Sequence, residues 1–321
     1  MLQPPPLMSS TARLVGMFAM GVALATTGCV GEADEGDEAV ASDGQEVVTG
    51  RCASARASRT VKLKVMTVNL RHDSDDWKRR FPLIADEIVR LDPDVIGLQE
   101  IEIADDQADA LNDLIAKRGH AKYQIHQKRK SGFQGYFTGE GVGIMSRWKM
   151  TEKNHEDLGE MRISVRARLA HPSGGFIDMV NTHLHTGSGE EADANRLDQA
   201  KQTVNLADRN DDCWPTFITG DMNAGETSPA MKYIVQQGFV DSFKKVHGAE
   251  TSKIGKTSSV VLKDGAFEQS PKRRIDFVFG RAAGARTVVP TASGVYFKNH
   301  DAKGFYPSDH FGVMTTYDVK L

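Results

Sequence analysis

Two side chains with catalytic potential, Asp221 and Asn223, lie in the stretch Phe217–Ala224 directly after a short apolar run. The apolar run Thr216–Ile218 predicts a short buried strand, and Gly220 allows a tight bend at its end. Asp221 can accept a proton or orient a water molecule, and Asn223 offers a donor and an acceptor on one small amide. Functional side chains are common at such strand ends, although a surface Asx turn would have the same local sequence.

Residues of the same kind follow other predicted strands, and together they indicate one type of chemistry. The full set is Asn69, Glu100, His183, Asp221, Asn223, Asp276, Asp309 and His310. Oxygen and imidazole groups without a thiolate suit Mg²⁺ or Mn²⁺ better than a closed zinc site. A histidine beside a carboxylate suits general acid–base catalysis. Phosphoester hydrolysis needs these parts, since a cation neutralises phosphoryl oxygens while a base aims the attacking water.

In order along the chain, these residues resemble the motifs of the endonuclease/exonuclease/phosphatase superfamily. The matching segments are Asn69, Leu98-Gln99-Glu100, Asn181-Thr182-His183, Gly220-Asp221-Met222-Asn223, Arg274-Ile275-Asp276 and Ser308-Asp309-His310. The resemblance spans residues 61–321 and is nearest to an uncharacterised bacterial exported branch. It implies a two-sheet α/β sandwich flanked by helices, and a metal-dependent phosphoester hydrolase that forms no covalent intermediate.

The resemblance also implies which residues hold the metal and the substrate. Glu100 resembles the main ligand of Mg²⁺ or Mn²⁺, with Asn69 beside it. Asp309 resembles either a further metal ligand or an anchor for its loop. Substrate binding is implied for Arg162, at a position where relatives often keep a phosphate-binding arginine, and for Asn223.

Catalytic roles are implied for five residues. Asp221 resembles the carboxylate that orients or deprotonates the attacking water, and Asn223 a group that contacts the phosphate or the metal. His310 resembles the histidine next to the phosphate, oriented by Asp276. His183 is expected to donate to a phosphate oxygen or to the leaving group.

Hydrophobic patterning predicts alternating strands and helices that carry these residues. The predicted strands are 61–70, 94–98, 123–126, 141–146, 163–169, 176–183, 216–219, 274–279 and 311–318. The predicted helices are 77–91, 106–118, 190–208 and a helix that Ser228 and Pro229 cap and that ends at Gly238. Pro82 is expected in the first turn of its helix. Residues 252–270 are expected to form a loop, because they are polar and without pattern.

The first 29 residues predict an export signal. An apolar run, Leu14–Ala25, is too short to span a bilayer comfortably but has the proportions of a signal peptide. It leads to Gly28-Cys29, which resembles a bacterial lipobox, so Cys29 is expected to carry lipid and anchor the protein to a membrane. A plain secretory signal with an incidental Cys29 is the alternative, and the chain starts at either Met1 or Met8.

Composition divides the rest of the chain. Residues 30–58 are predicted to be an acidic flexible tether, and residues 59–321 a catalytic domain. The whole chain has a net charge of −3, but the first fifty residues hold seven acids and one base, so the remainder carries +3. Cys52 and Cys213 either pair in an oxidising compartment or stay free.

Mild basicity suits an anionic substrate without the strong basic footprint of a dedicated nucleic-acid binder. Three classes of function remain open: a secreted DNA or RNA nuclease, a phosphomonoesterase or sphingomyelinase-like lipid phosphodiesterase, and a non-catalytic surface binding protein. The complete set of acid–base residues argues against the last class. The protein is expected to act as a monomer.

Overall fold

The computed structural model describes residues 59–130, 139–210, 213–258, 261–263, 266–268 and 271–321. Its strands are β1 (Thr60–Asn69), β2 (Val95–Glu102), β3 (Gln124–Arg129), β4 (Glu140–Ser146), β5 (Lys149–Gly159), β6 (Arg162–Ala170), β7 (Phe176–His183), β8 (Thr216–Asp221), β9 (Val240–Asp241), β10 (Val261–Lys263), β11 (Ala266–Glu268), β12 (Asp276–Arg281), β13 (Thr287–Tyr296) and β14 (Gly312–Lys320). Its α-helices are α1 (Trp77–Leu91), α2 (Gln107–Ala116), α3 (Glu190–Ala207), α4 (Pro229–Gln236), α5 (Ser242–His247) and α6 (Thr251–Ile254).

Two six-stranded sheets form the body of the described structure. The first sheet has the order β13-β14-β1-β2-β4-β3 and the second the order β5-β6-β7-β8-β12-β9. Within each sheet one central pair is parallel, β1 with β2 and β7 with β8, and each pair is joined through a helix. Parallel strands end at the same edge of a sheet, so each pair brings two strand ends together.

Three apolar layers hold this arrangement together. One lies between the sheets and includes Leu63, Val165 and Phe217. A second packs α1 and α2 onto the outer face of the first sheet, and a third packs α3 and α4 onto the outer face of the second sheet. The arrangement confirms the predicted two-sheet sandwich with helices outside both sheets.

The differences from the predicted elements have physical causes. Strands β5 and β13 were not predicted. Both lie at sheet edges, and exposed positions alternate along β5 and along the first half of β13. Pro82 lies in the second turn of α1 and not in the first, because the helix begins at Trp77. The expected loop over residues 252–270 was wrong in part, since α6 and the small hairpin of β10 and β11 lie within it.

Three expectations concern residues outside the described part of the chain: the signal segment 1–29, the tether 30–58 and the partner role of Cys52. Cys213 itself is disulfide-bonded. None of the helices in the described residues is both long and apolar enough to cross a membrane.

Candidate active site

Strand register places five of the predicted residues at one end of the sandwich. In the first sheet Asn69 pairs with Gln99, so Glu100 lies one position further along. In the second sheet Asp221 pairs with His183 on one side and with Asp276 on the other. The end of each parallel pair therefore contributes one half of the site.

The backbone is bent out of the ordinary regions at two of these positions. Glu100 has a φ of 51° and Asn223 a φ of 49°, the left-handed region that side chains other than glycine rarely adopt. Glu100 lies in an irregularity of the β2–β4 ladder, between Leu98 and Ile101. Such bulges re-aim a side chain, and strained residues of this kind cluster at functional sites.

The amide of Asn69 joins the carboxylates of the two sheets. Its Nδ2 donates to Glu100 Oε1 at 2.9 Å and to Asp221 Oδ2 at 3.2 Å. Its Oδ1 accepts the backbone N–H of Arg71 at 2.8 Å, which fixes the orientation of the amide. Asn69 thus turns a nitrogen, and not an oxygen, toward the carboxylates, and its expected role as a metal ligand stays a prediction.

Asp221 is the centre of the site. Only 2% of the residue is exposed, and its Oδ2 lies 3.5 Å from His183 Nε2 and 3.7 Å from His310 Nδ1. Burial is the main cause that raises the pKa of Asp221 to about 7; Asp276 and Glu100 add to the rise and His310 opposes it. A carboxylate with that pKa can exchange a proton with water near neutral pH.

His310 and Asp276 form a buried pair. His310 Nδ1 lies 3.0 Å and 3.2 Å from the two carboxylate oxygens of Asp276. Burial opposes a charge on the ring, but the carboxylates of Asp276 and Asp221 prevail and hold the pKa of His310 well above its usual range. The ring is therefore a charged donor whose orientation is fixed by Asp276.

His183 is held in one tautomer by Asn223. The Asn223 amide nitrogen donates to the carbonyl of Leu184 at 3.0 Å, which fixes the amide, and it lies 3.0 Å from His183 Nε2. Nε2 is therefore an acceptor, and the proton of the neutral ring is on Nδ1. Burial, and then the charges of Arg162 and Lys130, hold the pKa of His183 well below its usual range.

The Nδ1 atom of His183 is buried and has no hydrogen-bond partner within the described structure. The nearest carboxylate is Glu140, whose Oε1 lies 3.8 Å away. Sequence reasoning missed Glu140, although it directly precedes the predicted strand 141–146 and is the first residue of β4. Arg162, at the start of β6, lies close enough to Glu140, Glu100 and Asp221 for their charges to act on its pKa, which burial lowers.

Asp309 lies apart from the central carboxylates. It forms an ion pair with Arg71 at 2.6 Å, and it belongs to neither cluster of potential metal ligands found among the described residues. These contacts match the alternative of a loop anchor. The metal role of Asp309 stays a prediction.

The donor set fits a hard divalent cation. Ligand atoms of Glu100, His183 and Asp221 lie within 4.8 Å of one another, and so do those of Asp221, Asp276 and His310. Burial is the main cause of the raised pKa of Asp221, and the negative charges of Asp276 and Glu100 add to it; a cation would relieve the added repulsion. The two carboxylates of the first cluster match the preferences of Mg²⁺ or Mn²⁺.

Arg80 links two of the loops that form the site, a role that sequence reasoning also missed. The residue is fully buried, and its Nη1 donates to the carbonyls of Leu70 at 2.6 Å and Pro307 at 2.9 Å. Its other nitrogens donate to carbonyls of the loop 71–74. Burial lowers the pKa of Arg80 to about 10. The loop after Asn69 and the loop before His310 are thereby held together.

Comparisons with known proteins agree with the fold. A family model described as the endonuclease/exonuclease/phosphatase family matches residues 66–310. A solved structure of a family protein from Bacteroides thetaiotaomicron is 22% identical with a TM-score of 0.62, covering 82% of this chain and 100% of that one.

Two further structures are similar over comparable lengths. Danio rerio TDP2 complexed with a single-strand DNA product is 20% identical, with a TM-score of 0.62 and coverage of 80% and 98%. A mannosyl-6-phosphatase from Bacteroides thetaiotaomicron is 22% identical, with a TM-score of 0.58 and coverage of 79% and 99%. At these identities the likenesses show the fold.

Proposed function

The chain belongs to the endonuclease/exonuclease/phosphatase family, and on that premise we propose that it is a metal-dependent phosphoester hydrolase in which water attacks phosphorus directly. One observation carries the proposal. Asp221 is buried where the two sheets meet, within 3.7 Å of Asn69, His183 and His310. A carboxylate between two histidines and beside Glu100 has no evident structural purpose, because burying an apolar residue there would cost less free energy than burying a charge.

Activation of water is assigned to Asp221. Its backbone-fixed oxygen, Oδ1, accepts the N–H of Asn223 at 2.9 Å, which leaves Oδ2 as the atom that takes a proton. Without a cation, burial raises the pKa of this carboxyl to about 7, and a bound cation would lower it; the carboxylate is then ionised near neutral pH and can orient the attacking water and accept its proton.

Charge on the phosphoryl group is stabilised by His310. Asp276 occupies Nδ1, so Nε2 is the nitrogen available to a phosphate oxygen. Because the ring is charged, it stabilises negative charge that develops on the phosphoryl group in the transition state. Asn223, just after β8, orients the other histidine, His183, at the end of β7.

Glu100 and Asp221 are the residues that would hold the cation. When bound, Mg²⁺ or Mn²⁺ supplies Lewis acidity that neutralises phosphoryl oxygens and the leaving oxygen. The two carboxylates converge because Asn69 bridges Glu100 and Asp221, and this bridge spans the two sheets.

The test is a substrate panel with matched variants. DNA, RNA, sphingomyelin, inositol phosphates, p-nitrophenyl phosphate and bis-p-nitrophenyl phosphate are incubated with the purified protein and Mg²⁺, with Asp221→Asn in parallel. We expect at least one substrate to be hydrolysed, and the variant to be slower by roughly 10²-fold or more. No hydrolysis of any substrate, or equal rates in the variant, would refute the proposal.

We also propose that the protein is exported and anchored through a lipid on Cys29. The support is the sequence alone, an apolar run that ends in Gly28-Cys29. Mass spectrometry of the protein from a bacterial host should find lipid on Cys29, and Cys29→Ser should release the protein from membranes. A mature product cut elsewhere with unmodified Cys29 would contradict it.

A further inference from the structure

We propose that Met161 is a specificity-determining residue of the candidate active site, and that its thioether side chain contacts a flat aromatic group joined to the phosphate of the substrate. Met161 lies in the turn that connects β5 to β6. The inference rests on the phosphoesterase function proposed above, and it narrows the substrate class to esters that carry an aromatic group close to the phosphorus.

The turn between β5 and β6 is fixed at the end of the sandwich where the site lies. The two strands pair as far as Gly159 and Arg162, so the turn has two residues. The buried side chain of Gln199, in α3, donates to the carbonyl of Gly159 at 3.4 Å and accepts the backbone N–H of His185 at 2.7 Å. One amide therefore joins this turn to the segment that follows His183.

Both residues of the turn have a backbone conformation that side chains disfavour. Glu160 has a φ of 50° and Met161 a φ of 53°. A two-residue hairpin turn with positive φ at both positions usually contains asparagine and glycine, and other side chains are strained there. Such strain persists where the surrounding structure fixes it, and it is concentrated at functional sites.

The side chain of Met161 is both apolar and exposed. The residue is 40% exposed, and among the large apolar residues exposed in the described part of the chain it alone adjoins a predicted site residue, Arg162. Single exposed apolar residues are common on protein surfaces, so exposure by itself would indicate nothing. Its combination with a strained turn that Gln199 fixes beside the site indicates a contact with substrate.

A methionine suits an aromatic ligand better than a sugar-like one. Its sulfur is polarisable and contacts aromatic rings favourably, and its unbranched chain adapts to rings of different shape. Arg162, the next residue, lies close enough to Glu100 and Asp221 for their charges to act on its pKa. An ester whose phosphorus lies beside Asp221 therefore reaches the turn with its organic group. A nucleobase and a nitrophenyl group share this chemistry, and turnover separates them.

The direct test needs no turnover. Phenylphosphonate and methylphosphonate have the same head group and a C–P bond that ester hydrolysis leaves intact, and only the first has an aromatic ring. Each is titrated calorimetrically into the full chain with Mg²⁺, at a pH where both are dianions. The ratio of the two affinities is the measured quantity, because charge effects on the shared head group cancel in it. Wild type should favour phenylphosphonate, and Met161→Asn should lower the ratio about fivefold, since the ring contact is lost.

The choice of asparagine keeps the turn intact. Asparagine adopts positive φ more readily than most side chains, so Met161→Asn should unfold in urea at no lower concentration than wild type. Glu160→Asn is the matched control, because it makes the same change of backbone preference at the neighbouring position and retains the thioether. It should leave the ratio unchanged. Met161→Leu keeps an apolar side chain and should keep part of the preference.

Three results would overturn the contact: a ratio near one or no phenylphosphonate binding in wild type, an unchanged ratio in Met161→Asn, or an equal fall of the ratio in Glu160→Asn. The wild-type ratio decides even if a variant does not fold.

Turnover then identifies the aromatic group. Methyl p-nitrophenyl phosphate and thymidine 5′-p-nitrophenyl phosphate have the same leaving group, and only the second carries a base. A higher KM of Met161→Asn for the thymidine ester alone identifies a nucleobase, and a higher KM for both esters identifies the aromatic leaving group. Hydrolysis of both with KM unchanged in the variant refutes the contact alone. Ring-dependent phosphonate binding, without hydrolysis of any substrate in the panel, refutes only the proposed function.

Discussion

Replacement of Asn181 by alanine should be among the most destabilising single changes in this protein. The Asn181 amide is completely buried between the sheets, where it donates to the carbonyls of Leu98 at 2.7 Å and Gly143 at 2.8 Å. Its oxygen accepts from Gln99 at 2.6 Å and from Thr219 at 3.1 Å. Alanine would leave two carbonyls and two donors without this partner, in a layer that water does not reach.

The magnitude follows from the number of groups left unpaired. Each buried group without a partner costs about 1–3 kcal/mol. Gln99 keeps a second contact with Thr67, so the two carbonyls dominate the loss. We expect a loss of roughly 3–6 kcal/mol in the free energy of unfolding, a large part of the stability of a typical domain.

Urea denaturation followed by circular dichroism measures this loss. Thr219→Val is the matched control, because it removes one donor from the same amide, and it should cost about 1 kcal/mol. A loss below about 1 kcal/mol in Asn181→Ala would show that the amide does not hold the sheets together.

Four further predictions concern single features of the site and the fold. Glu100→Gln should weaken Mg²⁺ or Mn²⁺ binding about tenfold or more in calorimetry, because a neutral amide is a poorer ligand for a hard dication; unchanged affinity would exclude Glu100 as a ligand. Asp276→Asn and His310→Ala should each reduce turnover by roughly 10²–10⁴-fold. Their double variant should be little slower than His310→Ala, since the pair acts as one unit, and multiplied losses would show independence. Arg80→Lys should cost about 2–4 kcal/mol in urea denaturation, because one ammonium cannot serve the carbonyls that the guanidinium serves; an unchanged midpoint would contradict this. Burial lowers the pKa of His126, so the unfolded chain binds its proton more readily and stability falls as pH drops through the unfolded value of about 6.5. His126→Gln should lose less stability between about pH 7 and pH 5 than wild type, and identical pH profiles would refute the assignment.

The sequence predicted the central strands better than the edges. Strands β2, β7 and β8 are buried along almost their whole length, so continuous apolar runs mark them. Edge strand β5 has five charged residues among its eleven, a composition that resists pairing with other chains and weakens the strand signal. Whether a strand could be predicted therefore depended on whether it lies at the centre or at the edge of its sheet. The local sequence does not give that position.

The same distinction separates the site residues. Asp221 and His183 were predicted because they follow apolar strands directly. Lys130 and Glu140 are ten residues apart in the sequence, and they meet because β3 pairs with β4. Neither residue type nor sequence separation predicts this contact. Arg80 had a usable signal, since it occupies an inward position of α1 beside Phe81, where a charged residue needs a reason.

The polar contacts of Asn181 explain how a site divided between two sheets keeps its geometry. An apolar layer tolerates small shifts of one sheet over the other, because close packing has several near-equal solutions. Buried hydrogen bonds form in few arrangements, because they need a set distance and direction, so they specify one alignment of the two sheets. Gly97 lets the first sheet approach the side chains of the second sheet closely, since a Cβ at this position would lie 2.2 Å from Thr219 Oγ1 and 2.5 Å from Asn181 Oδ1. Glu100 lies next to Gln99 on the first sheet and Asp221 two positions beyond Thr219 on the second, so the alignment set by these amides passes directly to the carboxylates that would share a cation.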